Sequence, residues 1–337
     1  MSMNSTLAQP REGINPARLK AALASWRAEI GVGIALAVLI IYFSATASNF
    51  LTVANFATLL TQTSVVAMIA VGMTMVIIAG EIDLSVGATV GLAGTVMSLL
   101  VVKLGWSLVT ASALAVGIAV LIGAFIGALR VFWAIPSFIT TLGLLSALRG
   151  VAFYVSDGLT IGPMPKALDS LWYGSVLGLP TPVVLMAGTI GLGWLLLSQL
   201  RFGRHLYAVG GNPITASRYG VPVRGIRIAV FIIVQVLAAI GGIMLVSRLN
   251  SGSATVGEHV ELDVIAAVIV GGTSLNGGYG RLIGTVLGVM FVAVLRNGMV
   301  LAGIDPIVFL IAQGLVIILA VWWSMLRRQR TRADGFA

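Results

Sequence analysis

Long apolar stretches recur through almost the whole chain, separated by short turns rich in glycine, proline or charge, and this pattern leaves few folds open. Of the 337 residues, 58% are apolar and 9% charged, against about 25% charged in an ordinary soluble domain. A hydrocarbon core of about 30 Å takes roughly 20 apolar residues per helix, and in lipid every backbone polar group must be satisfied internally. The chain therefore reads as an all-α polytopic membrane protein with about ten transmembrane helices. Apolar runs place them at 30–47, 59–79, 86–102, 107–129, 136–155, 181–200, 227–247, 262–275, 282–300 and 307–325. The eighth is short and interrupted by glycine.

Three segments follow from these runs: a polar N-terminal segment 1–29, a transmembrane domain 30–326 and a basic tail 327–337. With the N-terminus in the cytoplasm, most of the 20 Lys and Arg residues fall on the cytoplasmic side. They lie in 1–29, at Arg130, in the loop 201–227, at Arg281 and in the tail. That is the asymmetry of the positive-inside rule, and it puts both termini in the cytoplasm. It also accounts for the net charge of +9 without nucleic acid. Ile30–Phe43 followed by Ala45-Thr46-Ala47 resembles a signal peptide, but the preceding polar region is too long and no soluble chain follows. The run is read as the first span.

Chemistry is sparse. The chain has no cysteine, and His205 and His259 stand far apart without ligand spacing, so no metal is expected. The glycine-rich stretch 271–281 lacks the G-x-x-x-x-G-K-[ST] order of a phosphate cradle, and no G-x-S-x-G elbow occurs. No catalytic residue and no cofactor is expected, and the chain is not expected to bind and hydrolyse ATP by itself.

Three segments are unusual. In the loop 201–227, Asn212 is a good N-cap and Pro213 suits the first helical position. Gly220 suits the position just past the helix, and Pro222 prevents continuation. They predict a two-turn helix, 213–219, too short to stand alone. It is either a surface connector or a docking helix that transmits force from a cytoplasmic partner. The second segment, Gly80 to Ser85, places Glu81 and Asp83 beside hydrocarbon, where carboxylates are costly unless they face protein, water or a pathway. Asp83 or Ser85 either caps the third span or, with Glu81, lines a polar wall for a solute. The third, Glu261-Leu262-Asp263 before Gly271-Gly272-Thr273-Ser274, repeats the Glu-apolar-Asp order of residues 81–83. The span count puts the first motif at the cytoplasmic face and the second at the outer face, as in an inverted repeat.

On these segments the chain resembles the permease subunits of bacterial ABC importers of the ribose, xylose and autoinducer-2 type, relatives of the branched-chain amino-acid permeases. The resemblance rests on Gln62-Thr63-Ser64 through Gly72-Met73-Thr74 to Ile82-Asp83-Leu84-Ser85-Val86-Gly87. It rests also on Gly203-Arg204 through Gly210-Gly211-Asn212, on Glu261-Leu262-Asp263 to Thr273-Ser274-Leu275, and on Gly277-Gly278 through Arg281 to Gly284-Thr285. It implies a vitamin-B12-permease-like (type II importer-like) fold with inverted repeats. A second permease copy or paralogue, a cytoplasmic ABC ATPase and a periplasmic sugar-binding protein docking on loops 155–180 and 248–262 are implied as partners. Gly203, Arg204, Gly210, Gly211, Asn212, Pro213, Ala216 and Gly220 then form the ATPase-coupling unit. Glu81, Asp83, Ser85, Asp263, Thr273 and Ser274 are candidates for the translocation path. Glu81 stands where many relatives have glycine, Arg218 where an apolar residue is usual, and Asn276 and Tyr279 replace Ala and Lys. A branched-chain amino-acid permease, a partner-free transporter or facilitator, and a membrane enzyme are the rival readings.

Overall fold

The computed structural model describes residues 26–305, 307–316, 318, 319 and 322. Residues 1–25 and the tail 327–337 lie outside the described residues. The helices are α1 Arg27–Thr46, α2 Val53–Ile78, α3 Val86–Ser98 (extended by a π-helical turn, Leu99–Lys103), α4 Leu108–Phe132, α5 Ser137–Ser156 and the single turn α6 Ser170–Tyr173. A two-residue hairpin, β1 Ser175–Val176 and β2 Leu179–Pro180, leads into α7 Thr181–Trp194 with a π-helical end, Leu195–Gln199. Then come α8 Arg201–Gly211, α9 Pro213–Arg218, α10 Val223–Leu249, α11 Val260–Val270, α12 Leu282–Leu301 and α13 Ile307–Val316. Among the described residues, eight helices are long and apolar enough to cross a membrane. The chain is thus a polytopic helical protein of membrane type.

Local chemistry sets many boundaries. Thr52 and Ser107 accept from the backbone N–H of Asn55 and Thr110, capping α2 and α4. Pro136 and Pro180 precede α5 and α7. Asp157 and Asn250 end α5 and α10 in the left-handed region, the usual way to stop a helix. α10 is the central strut, packed against α2, α3 and α4. Small residues bring these helices close: Gly72 lies against Val234, and Gly123 and Gly127 of α4 against Ile232 and Ile228. Close backbone approach replaces the hydrophobic drive that lipid cannot supply.

The end of the bundle where α2 and α4 finish and α10 and α12 begin is here called the base, and the opposite end the top. α2 runs down to Ile78, after which residues 81–85 continue as non-helical chain and turn back up into the bundle. α3 therefore begins inside: Ser85 meets Gln235, halfway along α10, and Gly94 meets Gly242 and Val246 nearer its top. The other end of the pattern mirrors this. From the top of α10, residues 250–259 descend along α3, Gly252 against Ser98 and Gly94, then Ala254 and Val256 against Gly91. Gly87 lies against Glu261 and Gly257. From there α11 runs to the base, where Gly271 meets Gly284. Two short helices thus diverge from a shared midpoint in opposite directions.

This corrects two expectations. The eighth run is not a spanning helix: α11 has 11 residues, about 16 Å at 1.5 Å per residue, and the rest of that crossing is non-helical. Glu261 does not sit at the outer face either, but inside the bundle beside the start of α3. Non-helical backbone at such depth is tolerated only where protein surrounds it, and here Arg149 donates from Nη1 to the carbonyls of Ala254 and Val256 (3.1 Å to the latter). At the top, a backbone bridge between Ile161 and Gly252 ties the loop after α5 to the loop after α10.

Candidate functional site

The base carries the most built-up polar unit. α9 is capped at both ends. Asn212 Oδ1 accepts from the N–H of Ile214 (3.1 Å) and Thr215 (3.0 Å), and Pro213 occupies the first turn. At the other end Gly220, at φ +78°, lets its own N–H reach Ser217 O and that of Val221 reach Ala216 O. These two bonds close a complete Schellman motif. The helix ends one residue earlier than expected, at Arg218, with Tyr219 as the cap. Ala216 is its buried anchor, whereas Ile214 and Tyr219 are exposed.

The preceding segment, within the expected loop 201–227, is a second helix, α8. It buries Gly203, Leu206 and Val209 on one side and leaves Arg204 exposed. Its last turn is locked to two other elements. Gly210 packs so closely that a Cβ there would overlap the Ile78 carbonyl and crowd the Gly278 N–H. Gly278 N–H in turn donates to Ile78 O (2.8 Å). Tyr207 donates its hydroxyl to Gly280 O (2.7 Å). Burial pushes the Tyr207 phenol up, against the pull of Arg281, so it remains a donor at neutral pH. The bottom of α2, the end of α8 and the 276–281 turn are therefore one packed block. Gly211, by contrast, has open space where a Cβ would go.

Beside this block lies a buried carboxylate. Glu81 is 3% exposed; it accepts from Arg130 Nε (2.7 and 2.9 Å) and Ser137 Oγ (2.7 Å), and Arg227 Nε stands 3.1 Å away. One side chain so ties the end of α4 and the starts of α5 and α10. Asp83 and Ser85 are fully buried a little higher. Asp83 Oδ1 accepts from Ser85 N–H (2.8 Å) and Oγ (2.6 Å), while Gln235 Nε2 donates to Asp83 Oδ2 and to Ser85 Oγ (both 2.8 Å). Thr89 Oγ1 completes the set on Gln235 Oε1. Asp263 accepts from Arg296 Nη1 (3.2 Å) and Gln313 Nε2 (2.6 Å), joining α11, α12 and α13. Thr273 is buried and Ser274 half-buried; Ser274 N–H donates to Tyr279 O in the base turn.

The structure thus gathers the candidate coupling residues in one block, but disperses the six polar path candidates over three places: the base cluster, the α3–α10 network and the Asp263 triad. Asp83 and Ser85 are engaged inside the chain. Sequence reading missed the partners of all four buried groups: Arg130, Arg227 and Ser137 for Glu81, Gln235 for Asp83 and Ser85, and Arg296 and Gln313 for Asp263. The available signal was a Gln or Arg standing alone inside an apolar run, where a polar group must find a partner.

Residues 55–321 match the family model described as the branched-chain amino acid transport system / permease component. The chain is 40% identical to the ribose import permease protein of Escherichia coli strain K12 over 302 residues, 88% of this chain and 94% of that one. It is 36% identical to the ribose import permease protein of Bacillus subtilis strain 168 over 295 residues, 87% and 91% of the two chains. To the xylose transport system permease protein of Escherichia coli strain K12 it is 31% identical over 357 positions, 88% and 91%. No solved structure gives a significant match. A match spanning most of the helical bundle, with each of these relatives covered over 91% of its length or more, leads to one conclusion: this chain belongs to the branched-chain amino acid transport system permease component family.

Proposed function

We propose that this chain is the transmembrane permease subunit of an ATP-binding-cassette importer that moves a monosaccharide or similar small polyol across the inner membrane. It is a transport subunit rather than an enzyme; a separate cytoplasmic ATPase hydrolyses the ATP, and the chain binds no cofactor of its own. The observation that carries the reading is α9: a two-turn helix capped at both ends, with Ile214 and Tyr219 exposed and Ala216 anchored. A lever of that kind moves as a unit with α2, α8 and the 276–281 turn when a partner grips it. The ribose and xylose permeases among its relatives favour a sugar over a branched-chain amino acid.

The base faces the cytoplasm in this reading, since Arg130, Arg201, Arg204, Arg218, Arg224, Arg227 and Arg281 cluster there. Ten crossings result if α11 with its descending segment, and α13, each count as one. The opposed pair α3 and α11 is then the core of an inverted repeat, in keeping with a vitamin-B12-permease-like architecture. The functional unit is a pair of permeases with an ATPase below and a sugar-binding protein on the bridged top loops. Translocation occurs along surfaces between the two permeases, while Glu81, Asp83, Ser85 and Asp263 hold the broken helices in register and Thr273 and Ser274 shape the hinge at the base.

Reconstituted vesicles test this. Ribose or xylose uptake is expected only with ATPase, binding protein and ATP together; accumulation by the permease alone refutes it. Because the chain has no cysteine, Tyr219→Cys provides a single thiol. Labelling from the cytoplasmic side is expected, and labelling solely from outside refutes the orientation.

A further inference from the structure

A cavity of about 480 Å³ opens at the base between the end of α4, the coupling helix α9 and the start of α10. Arg218, Arg224 and Arg227 line it, with apolar walls from Val131, Ile214 and Val223. Among the described residues, Arg218 and Arg224 meet no carboxylate; Arg224 instead stands over the Phe132 ring, 6.0 Å from its centroid. Arg227 shares Glu81 with Arg130, so the nearby carboxylate is already held by two guanidinium groups, and Arg218 and Arg224 leave the cavity a positive excess. An occupant must therefore bring negative charge, and the planar arginine fork matches phosphate oxygens.

The mouth says more about the occupant. Phe132 and Trp133, at the lower end of α4, are both well exposed, and above them the outward face of α4 presents Phe125, Leu121 and Val120. That is a lipid-facing helix with aromatic residues at the headgroup level. Basic pockets between spanning helices on the cytoplasmic side suit anionic headgroups. A molecule with a phosphate for the arginines and chains for α4 fits both halves of the surface; an acidic peptide fits only the first.

We propose that this cavity binds the headgroup phosphate of one anionic phospholipid, held by Arg218 and Arg224, with the acyl chains along α4. The bound lipid props α9 from the side and so sets the seat of the coupling helix. The inference rests on the membrane reading with the base at the cytoplasmic face. It does not depend on what is imported, and a binding experiment without transport keeps the two separate.

The test is native mass spectrometry of the full chain in detergent, titrated with phosphatidylglycerol or with phosphatidylcholine of the same acyl chains. One phosphatidylglycerol is expected to remain bound in preference. Arg218→Gln with Arg224→Gln is expected to weaken it about 30-fold, from roughly a factor of five per basic residue. Arg218→Lys with Arg224→Lys, which keeps the charge, is expected to retain most of the binding and guards against misfolding. Equal retention of the two lipids, or unchanged retention in the Gln pair, overturns the proposal. So does displacement of the lipid by millimolar inorganic phosphate, which would make the cavity a free-anion site, or its complete expulsion by the added ATPase, which would make it a docking pocket for an acidic side chain.

Discussion

Replacing Glu81 by Gln keeps the size of the side chain and one hydrogen bond with Ser137, but leaves two guanidinium groups facing each other without their carboxylate. Glu81 is nearly fully buried, and Arg130 and Arg227 have side chains 24% and 16% exposed. Breaking a buried ion pair by removing one partner costs about 3–5 kcal/mol. The arginines keep partial access to solvent and can relax toward it, which lowers the expected loss to about 2–3 kcal/mol. Arg130→Gln and Arg227→Gln each leave Glu81 one guanidinium, so each is expected to cost about 1–2 kcal/mol, and pairing either with Glu81→Gln should be strongly non-additive. Denaturant titration in detergent measures all of these on one scale. A loss below about 0.5 kcal/mol for Glu81→Gln, the size of an ordinary surface change, refutes the view that this carboxylate ties the lower ends of three helices together.

Asn212→Ala removes both cap bonds of α9 and is expected to cost about 1 kcal/mol locally; sugar-stimulated ATPase of the reconstituted complex should fall while the bundle melts as before, and Asn212→Asp should restore it. Gly210→Ala drives a methyl into the Ile78 carbonyl, so expression and coupling should both fail, whereas Gly211→Ala, with open space around it, should behave as wild type in the same uptake assay. Gln235→Leu strips the donor from Asp83 Oδ2 inside a fully buried network; the cost of an orphaned buried acceptor, about 1–3 kcal/mol, should appear in the denaturant midpoint, with Gln235→Glu no better because it sets a second carboxyl group beside the first.

Hydropathy alone carried the membrane class and the position of most spans, because a helix in lipid must be apolar along its whole length and its ends must be polar. Turn chemistry carried α9, because an Asn-Pro start and a glycine stop act within a few residues of the backbone they control. The resemblance in residues 62–285 carried the family. What lay beyond reach was every relation between distant segments. That α11 is half a crossing, that Glu261 meets Gly87, and that Glu81 is neutralised by arginines from α4 and α10 depend on where the bundle brings chain segments that are up to about 170 residues apart. A lone Gln or Arg in an apolar run announces that a polar group needs a partner, and only tertiary packing chooses which one. Asp83 and Ser85 show the same division: their types and their spacing suggested either a cap or a path, and the arrival of Gln235 from the middle of α10 turned them into an internal clasp.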